Sequence, residues 1–265
     1  MTKINNKLTV SEIREYLGDA RELSQGLSGH MAHTALPRYR EMMNKIDKDP
    51  NLSAQGKFDK KAKFQKHHEV KVLSEIAEAR EAYNLLLSDA QASAEAILLS
   101  EVEKPDEKAI KLFELERNKL RNAVTFAATA DAKEKALAAY AKLGDKGSYF
   151  AREIQNDFVT MSAQAMAGVT DPQALAKLTR SLGKVNEGLQ AAAFTEDQRE
   201  ASDLLSSIST YQNRDFVNMI VLERSLMELG KNVHDYANNL EGYQVDHAET
   251  IKEVEQSVRF EASIQ

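Results

Sequence analysis

Six histidines are the side chains best suited to acid–base or metal chemistry near neutral pH. His30 and His33 stand three apart in a glycine-flanked stretch, and His67 and His68 are adjacent on the basic run KFDKKAKFQKHHEVK. Four imidazoles from two segments would suit zinc or nickel if the first segment folded onto the second. Cysteine is absent, however, and there is no H-E-x-x-H and no fixed ligand spacing, so surface histidines are expected. A di-iron bundle needs Glu-x-x-His, yet the residues three before the histidines are Leu27, His30, Phe64, Gln65, Lys231 and Gln244. His234 neighbours Asp235, but adjacent residues on a helix point in different directions, and His247 is expected to be packed or at an interface. No phosphate-binding glycine loop and no nucleophile elbow is present. The carboxylates match solvated helix faces. The expectation is a non-enzymatic protein with no catalytic residues, metal or cofactor.

The same basic run gathers Lys57, Lys60, Lys61, Lys63, Lys66 and Lys71 against Asp59 and Glu69, interleaved with Phe58 and Phe64. Such lysines could neutralise phosphates without reading sequence, since arginine, the commonest base-edge reader, is missing from the run. They could equally meet an acidic patch on a protein, or simply solvate the start of a helix. The apolar residues among them do not make the broad face that a membrane-surface helix needs. Charge over the whole chain is lopsided. Residues 1–71 carry 14 basic and 9 acidic side chains, a balance of +5, within a chain whose net charge is −6. That asymmetry suits head-to-tail association or docking on an acidic surface.

The elements that carry these residues are all helical. Hydrophobic residues make up 42% and charged residues 29%, aromatics are only 6%, and the abundant types (Ala, Leu, Glu, Lys, Gln) are strong helix formers. No stretch alternates apolar and polar residues as a strand would. There is no apolar segment long enough to span a bilayer and no signal-peptide core near the first residue, so no membrane partner is expected.

Thr9-Val-Ser-Glu12 has the form of a capping box and predicts a helix over about 10–25. Gly26, Gly29, Pro37 and Pro50 then predict a loop with one short helix near 37–47. From Ala54 to Val102 proline is absent, and Leu73, Ile76, Arg80, Tyr83, Leu87, Ala90, Ala94 and Ile97 fall at steps of three and four. Pro105 interrupts, and the pattern resumes at Ile110, Phe113, Arg117, Leu120, Val124 and Ala127. Folding the chain back at Pro105 sets Ala94 against Phe113, Leu87 against Leu120 and Ala90 against Arg117, a size-matched helical hairpin. Asp131 to Glu134 and Thr195 to Gln198 resemble further capping boxes, and a helix from about 148 precedes a short one opened by Asp171-Pro172 and ending near Leu182. Met219, Leu222, Leu226, Leu229, Val233, Tyr236, Leu240 and Tyr243 then form the most regular seam in the chain, predicted to be an interface between copies.

The expected organisation is an all-α, elongated protein: an N-terminal helix and loop region (1–53), a long helical hairpin turning at Pro105 (54–143), short helices (144–194), and a long C-terminal coiled-coil-like region (195–265). The segment from FDKKAKFQKHHEVKVLSEIAEAREAYNLLLSDA through EKPDEKAIKLFELERNKLRNAVTFAATADAKEKALAAYAKL resembles helical virion-morphogenesis proteins of tailed phages. Those include scaffolding proteins and minor head-associated structural proteins. The likeness lies in paired charged helices joined by a Lys-Pro-Asp turn and in the restart FAATADAKEKA. It implies a self-associating assembly protein in the host cytoplasm or the virion, with a coat or portal protein as partner. Scaffolding proteins often end in a basic coat-binding helix, whereas ETIKEVEQSVRFEASIQ is acidic, so the coat-binding end here would be residues 1–71. The rival reading is a nucleic-acid-associated helical protein that uses the Lys57–Lys71 stripe.

Overall fold

The computed structural model describes residues 8–263, with side chains as far as 257. The described residues form helices and turns and no strand, the all-α class that the composition dictates. None of the described helices is long and apolar enough to cross a membrane. The chain gathers into two units, one of residues up to 93 with those from 204 onward, the other of residues 94–203. This grouping cuts across the four consecutive regions expected from sequence order.

In the first unit, α1 (Val10–His30) opens at the Thr9 capping box. The Thr9 amide donates to the Glu12 carboxylate at 2.7 Å, and the Glu12 amide donates to the Thr9 hydroxyl at 3.3 Å. The helix does not stop near residue 25. It continues through Gly26 and Gly29 into a π turn (Met31–Ala35) and on into α2 (Leu36–Lys48). Buried Leu27, Met31, Ala35, Leu36, Tyr39 and Ile46 extend one apolar face along this path, which outweighs a glycine penalty of about 1 kcal/mol each. The π turn also accommodates Pro37. The Leu36 amide reaches back five residues to the Met31 carbonyl, and the proline falls in the first turn of α2, where its missing donor costs least. Next comes α3 (Ala54–Leu98), a single 45-residue helix. Its seam residues Leu73, Ile76, Tyr83, Leu87 and Ala90 are buried, and the exception, Arg80, donates to the Asn238 carbonyl at 3.3 Å.

The expected long C-terminal helix is broken into α8 (Glu196–Gln212), α9 (Met219–Leu229), α10 (Lys231–Tyr236), α11 (Leu240–Asp246) and α12 (Ala248–Ser263). Gly230, at φ +149°, makes the turn between α9 and α10, a conformation essentially closed to residues with a Cβ.

In the second unit, α4 (Glu107–Thr125), α5 (Ala130–Ala141), a 3₁₀ turn (Lys142–Lys146), α6 (Ser148–Ala167) and α7 (Pro172–Ala192) enclose one core. Phe113, Tyr140, Ile154, Phe158, Leu178 and Leu189 lie in it. Leu120 packs on this core and the Phe113 ring lies 4.6 Å from Phe150, partners that the size-matched pairing did not count. α7 runs on past Leu182 through Gly183 and Gly188, because Leu178, Leu182 and Leu189 keep a buried face. α5 is capped by Thr129, two residues before the expected Asp131.

The interruption at Pro105 has a specific structure. α3 ends at Leu98, and Asp106 caps α4 by accepting from the Ala109 amide at 2.7 Å. The fully buried Gln198 closes the end of α3, its amide donating to the Ser100 carbonyl at 2.8 Å. The Gln198 oxygen meanwhile accepts from the Thr195 amide at 3.0 Å, completing the capping box read from sequence.

Candidate functional site

The histidines do not converge, and among the described residues no three His, Asp or Glu side chains are placed to hold a metal ion. His30 meets Glu75 at 3.3 Å and His67 meets the Ser257 hydroxyl at 3.1 Å. His68 is buried and stacks on Tyr39 and Phe64, at 5.2 and 5.5 Å between ring centroids. His247 stacks on Tyr243 at 4.9 Å, the packed role expected of it. His234 and Asp235 do meet, at 2.7 Å, against the expectation that their side chains diverge. Their adjacent side chains on the short α10 can swing together across the helix surface.

The lysine stripe is turned inward electrostatically. Lys57 donates to the Asp47 carbonyl at 2.6 Å, Lys61 pairs with the Asp47 carboxylate at 2.5 Å and Lys60 with Asp49 at 3.8 Å. Lys66 pairs with Glu253 at 2.5 Å and Lys71 with Glu75 at 3.8 Å. These contacts tie the start of α3 to the turn after α2 and to α12. Such exposed pairs are worth about 0–1 kcal/mol each, but they weaken the field that the sequence promised to an acidic partner.

The C-terminal seam is covered within the chain. Leu222, Leu226, Leu229 and Val233 are wholly buried, Leu240 and Tyr243 nearly so, and Met219 and Tyr236 are half-buried. α9 rests on the π turn and α2, where Arg40 grips Glu228 with both prongs at 2.5 Å. The Tyr243 phenol donates to Glu69 of α3 at 2.9 Å, and burial together with that carboxylate pushes its pKa well above the ordinary tyrosine value. Six of the eight positions expected to form an interface are therefore core. The N-terminal helices and α3 do the covering, and the helix that begins at Ser148 lies in the other unit.

A partly buried polar group in the second unit had no counterpart in the sequence reading. Arg117 donates to Asp157 at 2.5 Å and to the Tyr140 hydroxyl at 3.3 Å, and that hydroxyl donates to Asp157 at 3.0 Å. Burial pushes the Asp157 carboxyl up, but the Arg117 and Tyr140 hydrogen bonds outweigh it and hold the pKa below the usual carboxylate range. The signal was present in the sequence as an arginine in an apolar seam, a charge that must find a partner.

What remains for contact with other molecules is helix surface. On α4 and at its C-cap, Leu112, Leu115 and Phe126 are 56%, 69% and 83% exposed, while Phe113 and Val124 are buried on the other side of the helix. With Lys119 and Asn122 between them, these residues follow steps of three, four, three and four. α4 thus carries two heptad stripes, one spent on the core and one facing out. No protein-family model, curated protein or solved structure matches the chain.

Proposed function

We propose that the protein is a non-enzymatic structural component of phage virion assembly, scaffolding-like or head-associated, that self-associates through the outward stripe of α4. The observation that carries this reading is the exposure of Leu112, Leu115 and Phe126 at coiled-coil spacing on a helix already anchored to a core by its opposite side. A second copy is the occupant that this stripe fits. In a parallel pair, Leu112, Lys119 and Phe126 take one seam position and Leu115 and Asn122 the other, and a lone seam lysine sets register at some cost in stability. Lys111 on one flank would then face Glu116 of the second copy, a carboxylate that also holds Lys146 of its own chain. The stripe lies inside the segment that resembles virion-morphogenesis proteins. A coat or portal protein is the further partner, met in the host cytoplasm or the virion. The nucleic-acid reading loses support because the lysines it relied on are engaged by Asp47, Asp49, Glu75 and Glu253.

Light scattering at rising protein concentration tests the self-association. The wild type should have the mass of a dimer or larger, and a Leu112→Ser, Leu115→Ser, Phe126→Ser variant the mass of a monomer with unchanged far-UV ellipticity. A monomeric wild type at high concentration sinks the reading. The virion role is checked by gene neighbourhood, where a terminase, portal or coat gene is expected nearby.

A further inference from the structure

A cleft of about 400 Å³ opens in the first unit between α1, α3, the end of α8 and the 213–218 turn. Its walls are fixed. The turn is tied to α1 by the Ser24 hydroxyl donating to the Phe216 carbonyl at 3.0 Å, and the end of α8 is tied to α3 by the Tyr83 phenol donating to the Tyr211 carbonyl at 3.0 Å. The Tyr83 and Phe216 rings pack at 5.1 Å, and the Asn238 side chain holds both the amide and the carbonyl of Val217 at 2.9 Å. A site bound this firmly needs little reorganisation to receive a ligand.

Two arginines line it, Arg21 from α1 and Arg214 from the turn. Neither guanidinium makes an ion pair or hydrogen bond with any described residue, although the Arg214 charge is felt at the Tyr83 phenol, where it opposes the upward push of burial. Elsewhere in the first unit, cations of the lysine stripe are matched with carboxylates. Here two permanent positive charges from distant parts of the sequence share one cleft with a single carboxylate, Asp215. Like charges held together raise the energy of the empty site and lower that of an anion within it. The Ser28 hydroxyl and the Asn218 side-chain amide also line the cleft without a partner among the described residues, Asn218 leaving α9 uncapped by its side chain. Planar, forked guanidiniums with hydroxyl and amide donors around them are the chemistry that receives a phosphoryl group. The volume exceeds what one phosphate ion fills and falls in the range of small-molecule pockets, and the half-exposed Tyr211 offers an apolar face to the rest of such a molecule.

We infer that this cleft binds the phosphoryl group of a small phosphorylated molecule, a role separate from the assembly surface on α4. Isothermal titration of the full chain with AMP, inorganic phosphate and adenosine tests it. AMP should bind saturably and adenosine should not. Arg21→Gln and Arg214→Gln should each weaken AMP binding about tenfold or more, the cost of a lost charged hydrogen bond. Both arginines are exposed, so the variants should keep the wild-type far-UV ellipticity. AMP binding tighter than phosphate supports an organic phosphate as the ligand; equal affinity supports the free ion. The inference is overturned if neither anion binds, if adenosine binds as well as AMP, or if the two variants bind like the wild type.

Discussion

His68 shows how a single side chain can be read wrongly from its neighbours in sequence. It sits in a lysine-rich run, yet it is buried between Tyr39 and Phe64, and its Nε2 has no hydrogen-bond partner among the described residues. Burial pushes its pKa down; Glu75 pulls upward, and Lys71 and Arg38 push down again. The folded protein therefore holds a neutral imidazole where the unfolded chain, with an ordinary value of about 6.5, takes up a proton. Below that pH the unfolded state binds more protons, so this contribution to stability is complete above about 6.5 and is lost as pH falls toward the folded pKa. A His68→Phe variant keeps the aromatic stack and removes the unsatisfied nitrogen. Thermal unfolding between pH 7.5 and 5 should show the wild type losing stability on acidification more steeply than the variant, which should also gain about 1 kcal/mol at neutral pH. Parallel curves for the two proteins would count against a neutral, buried His68. Arg117 is the complementary case, since its place in an apolar seam was visible and only its partners, Tyr140 and Asp157, required the fold.

At the scale of elements, what the sequence hid was mostly continuity and interruption. α1 to α2 runs on through two glycines and a proline because its buried face persists, and a five-residue π turn absorbs the defect. The C-terminal seam is the reverse. Its steps of three and four pass unbroken through Gly230, while the backbone there turns at φ +149° and ψ +148°. Periodicity reports which residues seek a core; it does not report whether one straight helix delivers them. Gly230→Ala tests this directly. A Cβ at that position would meet Val233 at 3.7 Å, an ordinary contact, so the penalty is one of backbone conformation rather than of space. The expected loss is about 1–3 kcal/mol, seen as a lower midpoint in urea. An unchanged midpoint would mean that the turn can be made without positive φ. Caps were legible in the sequence where both partners of a box were present, as at Thr9–Glu12 and Thr195–Gln198. The α5 cap was misplaced because Thr129, a single hydroxyl with no return partner, left a weaker mark than Asp131.

For the whole molecule, the question is which apolar stripes are internal and which are left for other chains. Helical class and the identity of the apolar positions were readable from the sequence, because they follow from propensity and period. Pairing was not, because any heptad seam can dock on any other, and the N-terminal helices that cover Leu226 and Val233 are about 190 residues away in sequence. The distinction has a sharp experimental form. Leu226→Asp with Val233→Asp puts two carboxylates where both side chains are fully buried. Each unpaired buried charge costs several kcal/mol, and two approach the 5–15 kcal/mol that holds a typical domain folded. The double variant should lose far-UV ellipticity at 25 °C, or melt far below the wild type, at every protein concentration. Replacing Leu112, Leu115 and Phe126 with serine should do the opposite, lowering mass in solution while leaving the melt nearly unchanged when measured at a concentration where the wild type is monomeric. If the aspartate variant instead stays helical and merely dissociates, the 219–243 seam is an interface after all, and the covering role assigned to α2, the π turn and α3 is wrong.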